Sequence, residues 1–251
     1  MSVDGARHAS SHHPAWTRCA HWVAAVSILV LAFTGFVILM AHPRLYWGDV
    51  GNGLTPALIE LPISPNYRHG GWASVTPFFD RTGSPVSASR TFPLFNENAW
   101  GRSLHFLTAW LLTLTGLAYL AAGVLTGHLR RRIVPAAGDL APARLSEDVR
   151  RHVRFAVRRD AGSPYGTLQK IAYTFVIVFL LPLAGLTGVT MSPAVTTAFP
   201  FLLTLFGGMQ SARTIHFGVW MALMGFLLVH VVMVVATGFR QHMRAMTIGD
   251  R

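Results

Sequence analysis

Residues Arg213 to Arg240, RTIHFGVWMALMGFLLVHVVMVVATGFR, decide the fold. The run is long and apolar enough to cross a bilayer as one helix, yet it holds His216 and His230, side chains that are costly in hydrocarbon. Fourteen positions separate them. At about 100° and 1.5 Å per residue, that spacing returns the second imidazole to within about 40° of the first, roughly 21 Å along the axis. Two rings therefore look inward from one helix, one towards each side of the membrane. A bis-histidine haem takes one imidazole from each of two helices, so the geometry asks for two further histidines elsewhere in the bundle.

Composition supports the membrane reading. Of 251 residues, 52% are hydrophobic and only 12% charged, where a soluble domain carries about a quarter charged. The formal charge of +11 would suggest nucleic acid in a soluble chain. Here the arginines cluster at the ends of apolar runs, as topology determinants do, which argues against a nucleic-acid partner. Cys19 is the single cysteine, so this chain alone builds neither a disulfide nor an iron–sulfur cluster. The first apolar run is too long for a signal-peptide core and lacks a clear cleavage site, so it is expected to remain in the mature protein.

The expected architecture is all-α: an integral membrane four-helix bundle, one membrane domain over residues 1–251, with spans at about 18–41, 103–127, 170–191 and 213–239. Residues 1–14, with His8, His12 and His13, read as a tail. Residues 42–100 form a long outer loop, rich in Pro, Gly, Asn and Ser, with a short interfacial helix expected at Pro56 to Leu61. Its aromatics, Tyr46, Trp47, Tyr67, Trp72, Phe78, Phe79, Phe92 and Phe95, argue for order. Residues 128–169 form a basic loop whose arginines from Arg150 to Arg159 suggest a helix on an anionic membrane surface. Pro182 predicts a kink in the third span. The uncharged segment 192–212 is too short to cross and is expected to pack at the interface. The N-terminus, residues 128–170 and the C-terminal tail hold 15 of the 21 Lys and Arg residues, so both termini are expected to be cytoplasmic. The expected location is a bacterial inner membrane.

Histidines fall one, one, none and two across the four spans: His21, His105, His216 and His230. Depth in the membrane pairs His21 with His230 and His105 with His216, each pair holding one iron, for two b-type haems. Arg18, Arg102 and Arg213 each stand three residues before a histidine, on the same helix face, where a guanidinium suits a haem propionate. Interfacial snorkelling is the plain alternative for those arginines. Gly35, Gly116, Gly123, Gly185, Gly188, Gly218 and Gly225 would let a macrocycle approach, although glycine is common in membrane helices anyway. His42, His128 and His242 lie at or beyond span ends, with His128 the substitute should His21 not serve, and His69 and His152 are loop residues.

The runs RCAHW (Arg18 to Trp22), GRSLH (Gly101 to His105) and QSARTIHF (Gln210 to Phe217), together with His230, resemble the bacterial cytochrome b561 and nickel-hydrogenase cytochrome b family. That family includes the membrane subunits of hydrogenases, formate dehydrogenases and thiosulfate reductases. The resemblance covers roughly residues 15–245. It implies a di-haem subunit passing electrons between the quinone pool and a redox enzyme on the outer face, and its ligand positions fall on His21, His105, His216 and His230. The long outer and basic loops look more like subunits that accompany a periplasmic molybdopterin oxidoreductase.

The working expectation is therefore electron relay between quinone and a periplasmic partner, of molybdopterin or hydrogenase type, docked on the 42–100 loop. Trp22, Lys170 and Tyr173 are the candidate quinone pocket. One rival is a stand-alone b-type oxidoreductase acting on superoxide or ferric iron. Another is a histidine-containing transporter, against which the spans contain no acidic residue and no inverted repeat.

Overall fold

The computed structural model describes residues 14–41, 43–52, 55–63, 99–153 and 166–249. Among the described residues four helices are long and apolar enough to cross a membrane: Ala15–Ala41, Trp100–Leu125, Thr167–Thr190 and Met209–Ala236. The chain is an all-α membrane protein. His8, His12, His13, His42, Tyr67, His69, Trp72, Phe78, Phe79, Phe92, Phe95 and the stretch 154–159 lie outside the described residues.

Each spanning helix begins a few residues before the apolar run does. Arg18, Arg102, Lys170 and Arg213 end the apolar runs in sequence, but they sit inside the first turns of their helices. Backbone hydrogen bonding continues outward until a cap supplies partners for the first amides. The Pro14 carbonyl does so for Thr17 and Arg18, at 3.0 and 3.2 Å.

The residues group into two compact units. The first contains residues 1–24, 115–178 and 225–251. In it the second span stops at Leu125, after which Gly127 turns the chain at a φ of +67°, in the region glycine adopts without a Cβ penalty. Arg131 reaches back to the carbonyls of Thr126 and Gly127, a cation on the exposed acceptors of a helix C-terminus. An amphipathic helix, Pro142–Val153, follows in the basic loop. Its Asp148 carboxylate accepts the Leu168 N–H at 2.7 Å, so an acid from one helix caps the start of the third span.

The third span is helical at Thr167–Thr174 and Leu181–Thr190, with a wider π-helical stretch at Phe175–Leu180 between them. This is how the expected break at Pro182 is realised. A proline ring collides with the carbonyl four residues back, and widening the preceding turns relieves the conflict without ending the helix.

The second unit contains residues 25–114 and 179–224. Here the segment after the first span is tied to the fourth span. Arg44–Leu45 and Ile59–Glu60 form a two-stranded antiparallel ladder, with Arg44 opposite Glu60. The helix expected at Pro56 to Leu61 is thus corrected to an extended segment. Pro62 disfavours helical geometry at Leu61, and the neighbouring strand takes up the Leu58 and Leu61 amides at 2.7 and 2.9 Å. The uncharged segment after the third span folds as two short helices, Pro193–Ala198 and Phe201–Phe206. Gly207 and Gly208, at φ +70° and +112°, then turn the chain into the fourth span. The Gly48 carbonyl receives the Gln210 and Ser211 amides at 2.9 and 3.2 Å. The Ser211 hydroxyl receives the Gly48 amide at 2.7 Å, and the Thr214 hydroxyl donates to the Tyr46 carbonyl at 2.6 Å. Glycine is required at 208, because any Cβ there would overlap the backbone of Gly48 and Asp49.

Many large apolar side chains on the spans are exposed, among them Leu107, Leu114, Val124 and Leu228. In a membrane this is the expected outside of the protein, because lipid solvates those side chains as well as a core does.

Candidate functional site

In the first unit the structure brings His21 of the first span to His230 of the fourth. Their ring centroids are 6.3 Å apart with planes at 52°. Phe226, one turn before His230, stacks on it at 5.9 Å and 20°. Tyr173 of the third span stands edge-on to both, 6.4 Å from His230 and 6.1 Å from Phe226. Trp22 packs at right angles to its neighbour His21, with centroids 5.3 Å apart.

In the second unit His105 and His216 likewise stand 6.3 Å apart, with planes at 64°. Each has a threonine hydroxyl at Nδ1: Thr34 at 2.9 Å from His105 and Thr187 at 3.0 Å from His216. Both threonines are fully buried. Two glycines border these rings, since an added Cβ would lie 3.4 Å from His105 Cε1 at Gly35 and 3.5 Å from His216 Cε1 at Gly188. The other span glycines differ: Gly116, Gly185, Gly218 and Gly225 have nothing within 4 Å of an added Cβ, and Gly123 meets Leu129.

The separation permits a fit test. Two metal–imidazole bonds of about 2.0–2.1 Å, each with about 1.1 Å more to the ring centre, span roughly 6.2 Å. The 6.3 Å separation of each pair matches that span, so both pairs fit one iron held between two imidazoles. Neutral imidazoles from two helices, in apolar surroundings, are the donor set that suits a b-type haem.

The other expected site residues are more dispersed. Arg213 places Nη1 3.1 Å from the Gln210 Oε1. Arg18 lies against Gly249, and Arg102 is exposed. Of the three residues read as a quinone pocket, Tyr173 alone contacts a paired histidine of the fourth span. The Trp22 indole donates to the Met246 carbonyl at 2.9 Å. Lys170 pairs with Asp139 at 3.2 Å, and the same carboxylate receives the Ala136 amide at 3.0 Å. That amide, and then Lys170 and Arg144, hold Asp139 below the usual carboxylate range against the opposing effect of burial.

His128 is buried against Trp16 at 5.2 Å and Tyr119 at 6.2 Å. Burial first, and then Arg132 and Arg131, push its pKa down. His242 meets the Thr237 hydroxyl at 2.9 Å.

Thr34 and Thr187 carry no mark that composition or periodicity picks out. Their one local signal is a Thr-Gly dipeptide in the first and third spans, and the same dipeptide recurs at Thr82–Gly83, Thr115–Gly116, Thr126–Gly127 and Thr237–Gly238.

A family profile described as prokaryotic cytochrome b561 matches residues 12–249. The chain is also similar to the putative protein-methionine-sulfoxide reductase subunit YedZ1 of Azospira oryzae, at 29% identity over 222 residues, covering 88% of this chain and 89% of that protein. No solved structure matches.

Proposed function

The chain belongs to the prokaryotic cytochrome b561 family, and from that premise we propose that it is a di-haem electron carrier, with His21 and His230 holding one b-type haem and His105 and His216 the other. The observation that carries this reading is the 6.3 Å separation repeated in both pairs. Iron held by imidazole on both faces supplies reversible one-electron transfer and offers no open position for substrate.

The protein's own residues then do three things. Helix packing sets each pair of rings at a fixed separation, so little rearrangement accompanies a change of charge. Phe226, Tyr173 and Trp22 surround the His21/His230 pair with rings that exclude water. Arg18, Arg102 and Arg213 bring positive charge to the span ends, where propionates would seek it.

Quinone exchanges at the His21/His230 haem, beside Trp22, Lys170 and Tyr173. The polar groups of Trp22 and Lys170 are engaged with Met246 and Asp139. Those two residues shape the pocket with ring face and methylenes, and the Tyr173 ring borders it beside His230.

Electrons pass to or from a redox enzyme docked on the 42–100 loop. The loop's first residues are fastened to the fourth span in the unit that holds His105 and His216. The relative named as a reductase subunit supports a partner enzyme, and a periplasmic molybdopterin oxidoreductase is the partner we propose. The distribution of basic residues supports both termini lying in the cytoplasm, in what we take to be a bacterial inner membrane.

The test is haem quantification of the purified protein by pyridine haemochrome. Two haems b per chain are expected, falling to one on replacing any single ligand. A colourless chain, or one haem per chain, overturns the proposal. Quinol-driven turnover without an outer partner would replace the subunit reading by a stand-alone oxidoreductase.

A further inference from the structure

Two buried threonines bear on which nitrogen each histidine of the second unit presents. The Thr34 hydroxyl donates to the Val30 carbonyl at 2.8 Å, and the Thr187 hydroxyl donates to the Leu183 carbonyl at 2.7 Å. A hydroxyl has one proton, and in both residues it is spent within the residue's own helix. With the proton placed there the oxygen accepts, and the matching tautomer has Nδ1 of His105 and of His216 as the donating N–H, at 2.9 and 3.0 Å. This leaves Nε2 of each ring with its lone pair exposed.

The two arrangements repeat one another. A Thr-Gly pair on one helix faces a histidine on another: Thr34–Gly35 with His105, and Thr187–Gly188 with His216. The third span, which contains no histidine, enters the site in this way.

From this geometry we infer that Thr34 and Thr187 are positioning residues for the metal-binding histidines of the second unit, holding Nε2 towards the iron and making each imidazole a stronger donor. An acceptor at Nδ1–H increases the basicity of the opposite nitrogen. A stronger donor favours ferric over ferrous iron, so these hydroxyls lower the midpoint potential of the His105/His216 haem. The inference rests on the ligand assignment proposed above.

The test uses the full-length protein with Thr34→Val, Thr187→Val, the double valine variant and the matching serine variants, read by potentiometric titration of the α band. Valine keeps the shape and removes the hydroxyl, whereas serine keeps the hydroxyl. The double valine variant is expected to raise the midpoint of one haem by about tenfold in its ferric/ferrous equilibrium, about 59 mV for one electron. The other haem should not move, and serine should restore the native value. Loss of that haem in valine variants with retention at native potential in serine variants supports the same conclusion. Unchanged potentials in the double valine variant overturn it, as do serine variants that behave like valine. His105→Ala is the control: two remaining haems there would mean that the ligand assignment itself is wrong, whatever the threonine variants do.

Discussion

The indole of Trp22 donates to the carbonyl of Met246 at 2.9 Å, joining the first span to the helix that follows the last one. Trp22 also packs edge-on against His21, so one side chain fastens the C-terminal helix and braces a candidate ligand. Trp22→Phe keeps the ring and loses the hydrogen bond, at a cost of about 0.5–1.5 kcal/mol. Amide exchange across Phe239–Thr247 should accelerate roughly 2- to 10-fold while haem content stays constant. Trp22→Ala removes the brace as well, and the expected result is altered α-band shape for the His21 haem alone.

The two histidine pairs are separable by mutation. His21→Ala and His230→Ala should each remove the same haem, and His105→Ala and His216→Ala the other. The double variant within a pair should look no worse than either single one, since a bis-imidazole haem loses its site when one side is gone. Reduced-minus-oxidised spectra of the four variants check this. Loss of one common haem in His21→Ala and His105→Ala would overturn the pairing.

Much of this arrangement was legible in the sequence, for a physical reason. Imidazole is costly in hydrocarbon, so a histidine inside an apolar run already needs a purpose, and helical periodicity with span order then gives its face and depth. Thr34 and Thr187 escape that logic, because a threonine satisfies itself on the carbonyl four residues back and costs little anywhere in a membrane helix. The start of the fourth span is hidden for a different reason. Its cap is Gly48, 163 positions from Ser211, and no local pattern announces a partner so distant. Distance also hid the strand at Ile59–Glu60, whose extended form depends on Arg44–Leu45 beside it.

Acid should loosen the basic loop of the first unit at a predictable point. Asp139 has its pKa depressed in the folded protein, chiefly by the Ala136 amide and then by Lys170 and Arg144. A depressed carboxylate stabilises fully above its ordinary value of 3.8 and loses that contribution as pH falls through the lower folded value. Amide exchange over residues 136–140 should therefore be flat from about pH 8 to 5 after correction for intrinsic rates, and should rise below about pH 4. Asp139→Asn should abolish the acid step and cost on the order of 1 kcal/mol at neutral pH.

Gly208→Ala tests whether the 42–100 loop works through its anchorage. The residue sits at φ +112°, and a methyl group there would overlap the backbone of Gly48 and Asp49. Left-handed strain alone costs of order 1–3 kcal/mol, and the overlap must be relieved by moving the loop off the fourth span. The bonds at risk are those from Gly48 to Gln210 and Ser211, and from Thr214 to Tyr46. Both haems should persist, because His105 and His216 are held by Thr34 and Thr187 rather than by the loop. Limited proteolysis between residues 43 and 63 should accelerate, and electron transfer to the proposed partner should fall at least tenfold with quinol reduction of haem unaffected. Native partner turnover in a Gly208→Ala protein whose loop is demonstrably released would show that docking does not depend on this segment.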